Sequence, residues 1–183
     1  MRKARYALSL ALLVAASLYL LPAVQAADNP VPDSPEVSEL LTQAKNHAVQ
    51  LTRDADEMQV YAKQRMTPES HAMKINTIKG HTNNLGQVLQ QLSEKRAAAS
   101  PWQQTAIDRV TPFASELASN IETTIDHINN NQTRLQTAEY KDYLKANYEL
   151  SSGLSELIGD FVSYGKSKAN YERLGTSLEV PGH

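Results

Sequence analysis

SPEVSELLTQAKNHAVQLTRDADEMQVYAKQRM, residues 34–66, is the stretch that decides the fold. It opens with a capping hydroxyl at Ser34 and a proline at the first helical position, where a missing N–H costs nothing. Glu36 follows, an acid facing the positive end of a helix dipole. From there Val37, Leu41, Ala44, Ala48, Leu51, Ala55, Met58 and Ala62 step alternately by four and three. A period of about 3.5 residues, held without a break, belongs to a helix that buries one seam against other helices.

The same opening returns as Thr67-Pro68-Glu69 and as Ser100-Pro101-Trp102-Gln103, the latter also fitting a capping box; Thr137-Ala138-Glu139 is a weaker fourth without proline. Each hydroxyl-proline pair also stops the helix before it, because the residue preceding proline is pushed out of the α region. The second seam reads Ile75, Ile78, Thr82, Leu85, Leu89, Leu92, and the third Ile107, Val110, Ala114, Leu117, Ile121, Thr124, Ile128, Asn131, Leu135. The fourth reads Tyr140, Tyr143, Asn147, Leu150, Leu154, Leu157, Phe161, Tyr164, Lys168, Tyr171. No stretch alternates with period two.

The expected fold is all-α: an elongated antiparallel up-down-up-down four-helix bundle, left-handed and with helices roughly 20° from antiparallel. The bundle spans 34–174, with helices over 35–66, 68–98, 101–136 and 138–174, and a fraying tail over 175–183. Helices of about 30 to 40 residues run about 45 to 60 Å, which predicts a rod. Pro112 should kink the third.

Ahead of the bundle, Arg2, Lys3 and Arg5 precede an apolar run from Tyr6 to Leu21 and then Val24-Gln25-Ala26, the pattern of a cleaved signal peptide over residues 1–26. A proline-rich linker fills 27–33. The expected location is therefore the bacterial cell envelope, periplasmic or secreted, with contact to a membrane only through an uncleaved N-terminal segment. Cleavage removes three cations and no acid, taking the net charge from −2 to −5, which argues against nucleic acid as partner. The absence of cysteine excludes disulfides, thiolate metal sites and cysteine nucleophiles.

Residues equidistant from a short turn between antiparallel helices share a level. On that basis His71 falls level with His127, Tyr61 or Ala62, and Asn147 or Ala146, with Met66 and Met73 nearby. Imidazole and thioether together suit copper or zinc, so His71, His127, Met66 and Met73 are the candidate metal ligands. Met73 stands two positions from His71, roughly 200° around the helix, which makes a shared ion difficult. Asp54, His81, Asn120 and Glu156 form a candidate polar layer near mid-height. His47, on the flank of Leu40, Asp54 and Tyr61, is expected to be exposed. Thr82, Thr124, Asn131, Asn147 and Lys168 hold seam positions, where single polar residues fix register. Tyr140, Tyr143, Tyr164 and Tyr171 are expected to bury rings and wet hydroxyls, and alternatively to line a ligand cavity.

Chemical motifs are lacking. No histidine has a glutamate three positions before it, as di-iron bundles require, and there is no H-E-x-x-H, G-x-S-x-G or Gly-rich phosphate loop. Histidine placement also disfavours a haem. Asn131-Gln132-Thr133 matches a glycosylation acceptor but falls inside the expected third helix. In general shape the chain resembles exported four-helix bundles such as the small periplasmic cytochromes and the sensory domains of chemoreceptors, a likeness of fold without their functional residues. The expected function is therefore non-enzymatic, without cofactor: an envelope protein acting through interaction with a protein partner, itself or a small ligand. Its amide-rich exterior, Asn76, Asn83, Asn84, Gln87, Gln90, Gln91, Asn129 and Asn130, suits that role. The alternatives are a periplasmic copper or zinc binding protein or chaperone, and a small-molecule sensor.

Overall fold

The structure, a computed structural model, describes residues 31–178. The expected signal peptide, the linker through Pro30 and residues 179–183 lie outside the described residues. Four helices pack against one another: α1 (Pro35–Lys63), α2 (Pro68–Lys95), α3 (Pro101–Asn130) and α4 (Ala138–Leu178). There is no strand among the described residues. Single 3-10 turns, Arg96–Ala98 and Gln132–Arg134, follow α2 and α3.

The starts fall where the caps place them. Ser34 Oγ accepts the Val37 N–H and Thr67 Oγ1 the Ser70 N–H, each at 3.3 Å. The ends come earlier than the seams alone suggest. α1 stops at Lys63, Arg65 takes a left-handed φ of 54°, and the Met66 N–H returns to the Tyr61 carbonyl at 3.1 Å. That reversal serves the last free carbonyls and turns the chain before Thr67-Pro68. α3 ends at Asn130, six residues short of the expected boundary at 136. The run Asn129-Asn130-Asn131 carries amides that compete for backbone groups, so the helix gives way there, and Asn131-Gln132-Thr133 lies in a turn. α4 runs the other way, through Gly175 to Leu178, so the tail is helical further than expected.

All eight seam residues of α1 are buried. On α4 the buried row is Tyr140, Leu144, Asn147, Ser151, Leu154, Ile158 and Val162, while Tyr143, Leu150, Leu157 and Phe161 are half-buried beside it. α4 packs against both α1 and α3, and its apolar face is two residues wide, so the line of deepest burial runs between the two candidate rows. For the same reason the α1 flank of Leu40 and Asp54 is buried and His47 is half-buried: α1 is covered by α2 and by α4. α3 continues unbroken through Pro112, whose ring is exposed, where water can serve the carbonyl that its missing N–H releases.

Two clasps join alternate helices, and both span 69 residues of chain. Gln103, in the first turn of α3 and fully buried, bonds to the backbone of Ser34 at the start of α1. His71, in the first turn of α2, meets Tyr140, in the first turn of α4.

Candidate functional site

The most unusual chemistry lies around Tyr140. Its ring is fully buried, and its hydroxyl is 2.7 Å from His71 Nδ1. His71 is also fully buried. The Tyr61 ring meets it edge-on at 5.9 Å, bringing the last turn of α1 to the first turn of α2. On the other side His127, in the last turn of α3, lies parallel to the Tyr140 ring, 5.2 Å between centroids and 17° between planes. Tyr143 closes the group edge-on to His127 at 5.5 Å. The termini of all four helices thus converge on one tyrosine.

Among the described residues no charged group enters the interior of this cluster of rings. Glu57 and Glu139 meet it at the outward phenols of Tyr61 and Tyr143, at 3.0 and 3.1 Å. Burial lowers the His71 pKa below its ordinary value and raises that of the Tyr140 hydroxyl, so both stay neutral. His71 Nε2 and His127 Nε2 are buried and have no hydrogen-bond partner among the described residues. No family model matches the chain, and no curated protein or solved structure matches it either. What the cluster does must therefore be argued from its geometry.

Of the four candidate metal ligands, the structure gathers the two histidines around Tyr140 and leaves the methionines outside. Met66 is exposed in the α1–α2 turn, and Met73 is 73% exposed on the far side of α2. Among the described residues no group of three or more His, Asp or Glu side chains is placed to hold a metal ion.

The mid-height polar residues divide into two separate groups. Between α1 and α2 the buried Asp54 carboxylate accepts from His81 Nδ1 at 2.7 Å and from Lys74 at 3.4 Å, and Lys74 also pairs with Glu57 at 2.6 Å. Between α3 and α4, Asn120 donates to Asn147 Oδ1 at 2.8 Å, and Asn147 Nδ2 donates to Thr124 Oγ1 at 2.8 Å. Glu156 is exposed and belongs to neither. Thr82 turns its hydroxyl to the Ile78 carbonyl at 2.9 Å, and Asn131 leaves the seam because α3 ends before it. The four tyrosines are scattered: Tyr140 is buried, Tyr143 half-buried, and Tyr164 and Tyr171 exposed.

A second group surrounds the start of α1. Asp33 accepts from the Trp102 indole N–H at 2.7 Å and from Lys168 at 3.0 Å, and Lys168 also pairs with Glu172 at 2.6 Å. The Trp102 ring lies against Gly165, where a methyl group would sit 2.7 Å from the indole, and packs edge-on to Tyr164 at 5.4 Å. Sequence reading gave Trp102 and Gln103 only a local capping role, since nothing in a linear pattern pairs them with residues 69 positions earlier. Beyond Lys168, no other helix among the described residues covers α4. Tyr171 is 60% and Leu178 67% exposed, with Leu174 also exposed between them. Their steps of three and four repeat the spacing of a coiled-coil seam, with no partner helix over them among the described residues.

Proposed function

We propose that this is an exported, non-enzymatic protein of the bacterial cell envelope that works by binding another protein through the free end of α4. The single observation that carries the reading is the exposed row of Tyr171, Leu174 and Leu178. About ten residues of helix beyond Lys168, roughly 15 Å, are too short to be stable alone in water and include Gly175, so a covering surface would stabilise them. The spacing suits a helix of the partner, laid along the seam in coiled-coil fashion.

Export is supported by the basic start, apolar run and Val24-Gln25-Ala26 of the N-terminal segment. An elongated up-down-up-down bundle is supported by the convergence of four helix termini on Tyr140 and by the ion pair between Lys95, ending α2, and Glu36, starting α1, at 2.7 Å. The exposed amides of α2 and α3 keep the remaining exterior polar without adding charge.

The test is site-specific photocrosslinking from position 171 in the living envelope, alongside sedimentation of the purified protein. A discrete crosslinked species that disappears in Leu174→Glu/Leu178→Glu supports the reading; if that species is a dimer, the partner is a second copy. A protein that stays monomeric at all concentrations and gives no seam-dependent crosslink would end it.

A further inference from the structure

His71 is fully buried and makes one polar side-chain contact among the described residues, the Tyr140 hydroxyl 2.7 Å from its Nδ1; its Nε2 has no partner. Either direction of that hydrogen bond leads to the same end. If Nδ1 carries the proton and donates, Nε2 holds a bare lone pair. If the hydroxyl donates, Nε2 carries an N–H that meets no acceptor. A second proton turns both cases into an imidazolium with two N–H groups and the Tyr140 oxygen as its one acceptor, a buried cation left half-satisfied.

The groups facing His71 offer that cation no counter-charge. From α1 comes the Tyr61 ring, edge-on, with its phenol turned to Glu57. α4 supplies Tyr140, and beyond it α3 supplies His127, stacked on the tyrosine and met edge-on by Tyr143, whose phenol turns to Glu139. On α2 itself, Lys74 pairs with Asp54 and Glu57, and Glu69 is exposed in the first turn. No carboxylate pairs with His71 among the described residues, and with no third His, Asp or Glu beside them there the two histidines do not make up a metal site. His71 also stands in the first turn of α2, where the positive end of the helix dipole opposes a further positive charge.

We propose that His71 is an acid-released latch: on taking one proton from solvent it leaves the ring cluster and opens the pole of the bundle where the last turn of α1 meets the first turns of α2 and α4. The opposite pole is held by Gln103 on Ser34 and by Lys95 on Glu36, contacts that involve no histidine, and stays closed. The sign follows from burial, which holds the pKa of His71 below its ordinary value of 6.5. The closed state prefers the neutral ring, so its advantage is complete above pH 6.5 and shrinks below it, the open fraction rising about tenfold per pH unit down to the lower folded value. The latch lies at the pole away from the free end of α4 and does not depend on what α4 binds.

The experiment is a pH series on the purified protein in buffer containing EDTA, read by amide hydrogen exchange and by NMR of the histidine ring signals. It runs from about pH 7.5 to about pH 5, above the range in which Asp33 responds. Expected is protection at the amides of His71 to Ile75 and Lys141 to Leu144, corrected for intrinsic exchange, that falls about tenfold per pH unit below 6.5, while Leu41 and Ile107 at the other pole keep theirs. His71→Leu should flatten the dependence, and His127→Gln should retain it. A His71 ring that titrates at 6.5 or above without loss of protection, protection unchanged across the series, or equal loss at both poles would each overturn the proposal. So would a dependence that survives in His71→Leu or vanishes in His127→Gln. The series on the unaltered protein decides the matter even if a substitution prevents folding.

Discussion

The side-chain amide of Gln103 bonds in both directions with the backbone of Ser34: it accepts the Ser34 N–H at 2.9 Å and donates to the Ser34 carbonyl at 2.8 Å. It also donates to Ser38 Oγ at 3.0 Å and accepts the Ser100 N–H at 3.1 Å. One buried amide therefore closes the start of α3 and ties it to the start of α1. His71 and Tyr140 join the starts of α2 and α4 with a single hydrogen bond, where Gln103 makes three to the start of α1.

Gln103→Leu keeps the volume and removes every one of these bonds. Each buried group left unpaired costs about 1–3 kcal/mol, so urea denaturation should register a loss of at least that size. A change of a few tenths would mean that the start of α1 is not held from α3.

Glycine substitutions in helices should split by what lies above them. Gly80 and Gly86 have nothing within 4 Å of an added Cβ, so Gly80→Ala and Gly86→Ala should each stabilise by about 0.5–1 kcal/mol. Gly165→Ala should destabilise instead, by about 1–3 kcal/mol, because the indole 2.7 Å away is pinned by Asp33 and Tyr164 and cannot easily yield. Thermal melts of the three variants test this directly; equal signs would contradict the packing described for Trp102.

Asn147→Asp replaces a satisfied buried amide with a carboxylate facing Asn120 and Thr124. The new group cannot donate to Thr124 when ionised and has no cation beside it, so the variant should lose several kcal/mol near neutral pH and recover part of that loss in acid, as the carboxyl becomes protonated. Denaturation at two pH values measures both effects.

Asp33 gives a pH dependence with a definite sign. Burial by itself would raise its pKa, but hydrogen bonds from Ser100, Lys168 and Trp102 outweigh that and hold it below the ordinary value of 3.8. The folded state therefore favours the carboxylate. Its contribution is fully present above pH 3.8 and is lost as the pH falls through the lower folded value. Asp33→Asn should flatten the stability profile below about pH 4, and an unchanged acid limb would show that the contacts to Trp102 and Lys168 add nothing.

The sequence by itself determined the number of helices, their starts and the buried face of α1, because proline, capping hydroxyls and a strict seven-residue repeat are local signals whose meaning does not depend on the rest of the chain. It also brought His71 and His127 to one level, since short turns convert sequence distance into height. Only the tertiary structure decided what those rings touch. Tyr140, and not the expected Asn147 or Ala146, stands at their level because α3 ends at Asn130 and the longer connection shifts α4 by about two turns, which leaves Asn147 beside Asn120 and Thr124. The reach of Gln103 and Trp102 across 69 residues and the burial of Asp54 against His81 depend in addition on which way each helix is rotated about its axis. A row of alternating apolar residues leaves that rotation free by one position either way, as the displaced seam of α4 illustrates, and the final angle is set by the combined packing of its neighbours.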